Sequence, residues 1–97
     1  PGQILRVGEN VLEVRHAPGH TRGHVVFYCA SAGVCFCGDV IFEGGIGRTD
    51  LPGGDYQALI NSIRTQILTL PPETRLLPGH GPETTVEVEA RTNPFLT

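Results

Sequence analysis

Two neighbouring runs, VVFYCA (25–30) and VCFCGD (34–39), are apolar at successive positions and are separated only by Ser31-Ala32-Gly33. A strand sends alternate side chains to opposite faces, so a strand apolar on both faces has to be covered on both. That demand constrains the chain more than any other feature. The cover available is limited. From Asp55 the period becomes helical, with Tyr56, Leu59, Ile60, Ile63 and Ile67 on one stripe, Asp55 as N-cap and Pro71-Pro72 as a stop. The last segment is ambiguous: TVEVEA alternates like a strand, while Thr84-x-x-Glu87 fits a capping box and Asn93-Pro94 a helix end, and a short helix is the expected outcome. One helix and a second short one leave some apolar surface bare. Association is therefore expected, either with an N-terminal half of the same protein or with another copy.

Other elements are read in the same way. ILRV and VLEVRH flank Gly8-Glu9-Asn10 as a hairpin, with Leu12, Val14 and His16 on one face and Glu13 and Arg15 on the other. TRLLP reads as a short strand. At 97 residues there is room for one modest domain, 1–97, without linker or repeat. The seven basic residues are outnumbered by ten acidic ones, so no footprint for nucleic acid or an anionic membrane is present. Lysine is absent, which excludes Schiff-base chemistry and a Walker-type phosphate loop. No window is apolar for long enough to span a bilayer. The three cysteines, Cys29, Cys35 and Cys37, are too few and too close for a secreted disulfide framework. They read as small buried apolar residues, and a reducing, cytoplasmic setting is expected. Methionine is missing, including at position 1, so the translated start is expected to lie upstream.

Three of the apolar runs end alike. HAPGH, FCGD and RLLPGH each close on a glycine followed by His20, Asp39 or His80. If the strands are neighbours, three metal-competent side chains meet at one edge, where glycine permits a sharp turn and close approach. Taken singly, each is equally a turn former or a satisfied polar group. Taken together, imidazole suits zinc or iron, and a carboxylate has two oxygens with which to bridge two cations. Two cations sharing a hydroxide nucleophile would polarise a carbonyl or phosphoryl oxygen. Three ligands are too few for two metals, so either one metal binds or further ligands come from elsewhere.

The segments HAPGHTRGHVVFY, FCGDVIF, GIGRTDLPGGD and LPGHGPETT with RTNPFL downstream resemble the third to fifth motif regions of the metallo-β-lactamase superfamily, in order and over about 5–96. Within it they look like the glyoxalase II (hydroxyacylglutathione hydrolase) branch. The resemblance implies an α+β fold, a four-layer αββα sandwich of which this chain supplies the C-terminal half: mostly antiparallel strands and one or two helices. It implies His20 as ligand of a first metal, Asp39 as bridging ligand and catalytic residue, and His80 as ligand of a second. Two zinc ions are expected per intact domain, with iron or manganese as alternatives. The family's H-x-H-x-D-H motif is absent here, so its ligands would lie upstream. The implied substrate is a small-molecule thioester. Glutathione recognition is not implied, because Gly81-Pro82 follows His80 where larger members carry a tyrosine. Aspartate at position 39, where many zinc β-lactamases have cysteine, disfavours β-lactam hydrolysis. The alternatives are a mononuclear iron persulfide dioxygenase, which shares the GRTD loop, and a catalytically silent half-domain that must associate with a partner.

Remaining polar residues receive structural roles first. His24 is expected to bond to backbone and His16 to pack in or behind the core. Arg48 and Asp50 are expected to pair across their loop, with an anionic substrate as the alternative partner of Arg48. Thr21 either caps a turn or donates to a metal-bound carboxylate.

Overall fold

The computed structural model describes residues 3–97. The chain runs β1 (Gln3–Val7), β2 (Asn10–His16), β3 (Val25–Cys29), β4 (Val34–Gly38), β5 (Ile41–Phe42), β6 (Gly45–Ile46), α1 (Tyr56–Ser62), β7 (Arg75–Pro78), β8 (Thr84–Thr85) and α2 (Val86–Thr92). Six strands form one sheet in the order β1-β2-β3-β4-β7-β8, and β5 pairs with β6 in a separate hairpin. All pairings are antiparallel except that of β4 with β7. The α+β class and the mostly antiparallel strands are as expected from the sequence.

The hairpin around Gly8 forms with Val7 opposite Asn10, and β3 and β4 pair with Phe27 opposite Phe36. This register sorts the side chains. Val26, Tyr28, Cys35, Cys37 and Leu76 face the helices, and with Leu59, Ile63, Ile67 and Val86 they make the core. On the opposite face lie Leu5, Val7 and Phe36, exposed by 45%, 58% and 44%. The double-sided apolar pattern thus meets cover on one side within this chain. Among the described residues no helix is long and apolar enough to cross a membrane.

α1 begins as its sequence indicates, the Asp55 carboxylate accepting from the Ala58 N–H at 3.0 Å. It does not stay α-helical. From Ile63 to Ile67 it widens into a π-helical turn, closed by the Leu68 N–H on the Ile63 carbonyl at 2.9 Å. Arg15, reaching across from β2, donates to the Gln66 carbonyl at 3.0 Å, which supplies a partner within the widened turn. The C-terminal ambiguity resolves as both readings in succession: Thr84-Thr85 add a strand to β7, then α2 begins. The capping residue is Thr85, bonded to Val88, and not Thr84 with Glu87. Thr84 is drawn inward instead, because its hydroxyl donates to Glu89. His16 also differs from expectation. It is exposed, and its Nε2 bonds the Arg22 carbonyl at 2.9 Å, so it braces the loop after β2 rather than packing in the core.

Ile63 is fully buried between the helical segment and the sheet. Ile63→Ala should lower unfolding free energy by about 2–5 kcal/mol, read as a shifted denaturant midpoint.

Candidate metal centre

Because β2 and β4 are each antiparallel to β3, they run in the same direction, and β7 is parallel to β4. The carboxyl ends of all three strands therefore reach the same edge of the sheet. Each of the three strand-end residues picked out by sequence arrives there. Asp39 follows Gly38 at the end of β4, His80 follows Pro78-Gly79 at the end of β7, and His20 sits on the loop after β2. The Gly79 N–H donates to the Gly38 carbonyl at 2.8 Å, which ties two of these ends together.

Asp39 lies between the imidazoles. Its Oδ2 is 3.9 Å from His20 Nε2 and its Oδ1 is 3.5 Å from His80 Nδ1. Both separations exceed the usual hydrogen-bond range, so the groups converge without bonding one another. The arrangement is two His–Asp pairs sharing a carboxylate, and among the described residues no three His, Cys, Asp or Glu side chains gather around one point. The cleft between them, about 270 Å³, is lined by His20, Asp39, Phe42, Gly47, Arg48 and His80. Exposure rises across it, from 19% for the His20 side chain through 43% for Asp39 to 76% for His80.

Each imidazole is held differently. His20 Nδ1 lies 2.8 Å from the Arg48 carbonyl. A carbonyl only accepts, so Nδ1 carries a proton, and Nε2 is the nitrogen that faces Asp39. This is how metal-ligating histidines are commonly oriented. His24 stands edge-on to His20, with ring centroids 6.0 Å apart, and its Nε2 bonds the Cys37 carbonyl at 3.3 Å, the structural role expected of it. His80 is braced by Phe42, ring to ring at 4.8 Å. Phe42 was not indicated by sequence, and Arg48 was singled out there only for its guanidinium. Phe42 gave no signal beyond its place after Asp39, and the contribution of Arg48 is a backbone carbonyl, which no side-chain pattern can announce.

Close approach at the cleft needs missing Cβ atoms. Gly19 has φ +134°, and a Cβ there would collide with the backbone of Leu59 in α1. Gly47 is equally constrained, since its Cβ would strike the Asp39 carbonyl. The loops are closed by ion pairs. Arg48 and Asp50 form a bidentate pair at 2.8 and 2.9 Å, as expected, and Arg75 holds Glu83 at 2.7 and 3.0 Å across the turn bearing His80. The guanidinium of Arg48 depresses the Asp50 carboxyl to about 2, and Arg75 holds Glu83 below the ordinary carboxylate range. Thr21 is exposed and offers its backbone carbonyl to the Gly19 N–H at 3.1 Å.

The donor set fits a pair of divalent cations. Two imidazoles and a carboxylate are donors that divalent cations accept, and further donors would be needed to complete their coordination.

Gly19→Ala should destabilise the protein by about 1–3 kcal/mol through enforced strain. Gly23→Ala, where nothing lies within 4 Å of the added Cβ, should be near neutral, and thermal melts of the two variants make the comparison. The Asp50 carboxyl should titrate near pH 2 by carbon-detected NMR. Its folded value lies below that of an unfolded chain, about 3.9. The pair therefore stabilises the loop fully above that pH and loses its effect as pH falls towards the folded value. Arg48→Gln should move the midpoint back up.

Comparison with known proteins places these features in a family. The metallo-beta-lactamase superfamily model matches residues 1–80. A hydroxyacylglutathione hydrolase of Haemophilus influenzae, GloC, is 50% identical over 95 residues, which is 98% of this chain and 45% of that protein. The solved BLEG-1 B3 metallo-beta-lactamase superimposes with a TM-score of 0.93 at 48% identity, covering 97% of this chain and 45% of the other. TTHA1623, solved in a di-iron-bound form, gives 0.86 at 52% identity over 95% of this chain and 45% of its own. ETHE1 of Myxococcus xanthus gives 0.90 at 35% identity over 96% and 42%. The chain thus spans somewhat under half the length of the relatives it matches. On a sequence match over most of its length, together with a sheet and helices that superimpose on theirs, the chain belongs to the metallo-beta-lactamase superfamily.

Proposed function

We propose that this chain supplies one side of a two-cation hydrolytic site that opens an activated acyl bond, with a thioester of a small thiol as the substrate class. The carrying observation is the placement of Asp39, whose two oxygens face separate imidazoles across an open cleft. His20, Asp39 and His80 would hold the cations, with zinc the first choice and iron or manganese the alternatives. When bound, such a pair supplies an activated water at neutral pH and Lewis-acid charge for the carbonyl oxygen.

The residues of this chain set the stage for that chemistry. The Arg48 carbonyl fixes the tautomer of His20 and aims its Nε2. Phe42 limits the rotation of His80 and removes water from one face of its ring. Asp39, lodged between them, turns one carboxylate oxygen to each imidazole. In the reaction the oxygen of water adds to the acyl carbon as its protons pass to solvent, the carbon–sulfur bond breaks, and the thiolate departs and takes up one proton from solvent, leaving a carboxylate and a thiol. The Arg48 guanidinium is engaged by Asp50 and leaves an anionic substrate to other groups. The remaining ligands belong to a part of the protein outside this chain or to a second copy, a reading supported by the share of each relative that the chain covers. Free, buried Cys29, Cys35 and Cys37 support a reducing, cytoplasmic setting.

The hydrolase named among the relatives, at 50% identity, supports the thioester reading. The similarity to a B3 metallo-beta-lactamase keeps a β-lactam among the substrates to be assayed. The likeness to ETHE1 makes a mononuclear iron persulfide dioxygenase the second reading. Metal titration with turnover assays on the intact protein, in which the remaining ligands are present, separates these outcomes. About two equivalents of zinc with hydrolysis of an acyl-glutathione thioester, and little of a chromogenic β-lactam, is the expected result. A single iron with oxygen uptake on a persulfide would establish the second reading. Neither bound metal nor turnover in the protein that carries the remaining ligands would overturn the proposal. Asp39→Asn should cost more than the roughly 10–100-fold typical of residues behind the ligands, in metal affinity as well as in kcat/KM.

A further inference from the structure

Glu89 is a carboxylate with no exposed surface, and the hydrolytic reading makes no use of it. Its Oε2 accepts from the Thr84 hydroxyl at 2.7 Å, and its Oε1 accepts from Asn93 Nδ2 at 2.9 Å and from the Gly44 N–H at 3.0 Å. Asn93 is equally buried and donates from Nδ2 to the Gly45 carbonyl at 3.1 Å, while its Oδ1 accepts from the Phe95 N–H at 3.0 Å. Two side chains of the C-terminal segment thus grip the β5–β6 turn by an N–H on one residue and a carbonyl on the next.

The object they grip is weak on its own. The hairpin has only the pairs Ile41 with Ile46 and Phe42 with Gly45, too few to hold a shape unaided. Yet both flanks reach the cleft. One carries Phe42, packed against His80, and the other runs through Gly47 to the Arg48 carbonyl that orients His20. We propose that Glu89 and Asn93 are positioning residues for the cleft: by fixing Gly44 and Gly45 they fix both flanks of the hairpin, and through these the two imidazoles. The inference rests on the metal-site reading only for its consequence in metal affinity, since the clamp itself is a matter of hydrogen bonds.

The chemistry of the clamp dictates the variants. Glu89 meets three donors, so an acceptor is required at Oε1. Glu89→Gln keeps that acceptor, and its amide can donate to a turned Thr84 hydroxyl. Asn93→Asp replaces the bridging donor by an acceptor aimed at two others. In the metal-free protein, Asn93→Asp should shift or broaden the His20 Nδ1–H resonance in nitrogen-15 NMR and speed exchange of the Gly44 amide. In competition titrations with a chromophoric chelator it should weaken zinc binding about tenfold or more. Glu89→Gln should restore all three readouts close to those of the unaltered protein, as should the exposed control Glu87→Gln on the same helix. Where Asn93→Asp does not fold, Thr84→Val, which removes one donor, should give the same changes in milder form. A folded Asn93→Asp or Thr84→Val with a lowered melting temperature but unchanged His20 resonance and zinc affinity would overturn the proposal. If the intact protein, with the remaining ligands present, takes up no zinc, the metal reading fails alone, and the His20 resonance and Gly44 exchange still decide the clamp.

Discussion

The parallel pairing of β4 with β7 is the constraint on which the cleft depends. It brings Gly38-Asp39 and Gly79-His80 to the same end of the sheet, and the bond from the Gly79 N–H to the Gly38 carbonyl locks their relative height. Antiparallel pairing here would send the two strand ends to opposite edges. The connection that permits it is α1 with its π-helical turn, which carries the chain back across the sheet so that β7 can start level with β4. Leu59, Ile63 and Ile67 bury their side chains against Cys35, Cys37 and Leu76 in doing so, and the same hydrophobic contact that stabilises the domain also aligns its chemistry.

Around that frame, positioning falls to backbone groups and buried polar side chains. His20, His24 and His16 each bond a carbonyl, and the hairpin beside the cleft is held by Glu89 and Asn93. Those made by Glu89 and Asn93 are directional and lie largely out of water, so they define geometry better than exposed ion pairs of similar length. The surface pairs Arg48–Asp50 and Arg75–Glu83 have another use. Each spans a short loop segment next to a proposed ligand and narrows the conformations that segment can take.

The sheet has two unlike faces. One is closed by α1 and α2, and the other leaves Phe36 and neighbouring aliphatic residues in contact with solvent. The apolar patterning of β3 and β4 on both faces matches an architecture in which a second layer lies against the open side, as the extra length of the relatives would provide.

Much of this was legible in the residues themselves. Apolar patterning and helical spacing located β1 to β4, β7 and α1, because burial leaves a periodic trace, whereas the two-residue strands β5, β6 and β8 are too short to leave one; the strand-end pattern and the motif resemblance picked out His20, Asp39 and His80. The ambiguity of the C-terminal segment was real: Thr84-Thr85 is a strand and Val86–Thr92 a helix, and only the pairing of Arg75 with Thr85 fixes where one ends. Sequence alone determined which side chains were available to the cleft and that glycine would let the chain turn there. Tertiary structure alone decided that the Asp39 oxygens divide between two imidazoles, that a carbonyl from Arg48 sets the tautomer of His20, and that Glu89 lies under a hairpin 45 residues away along the chain. The physical reason is that periodicity records burial, a property of each residue and its near neighbours, whereas hydrogen-bond partnership between distant segments leaves no mark on composition or spacing.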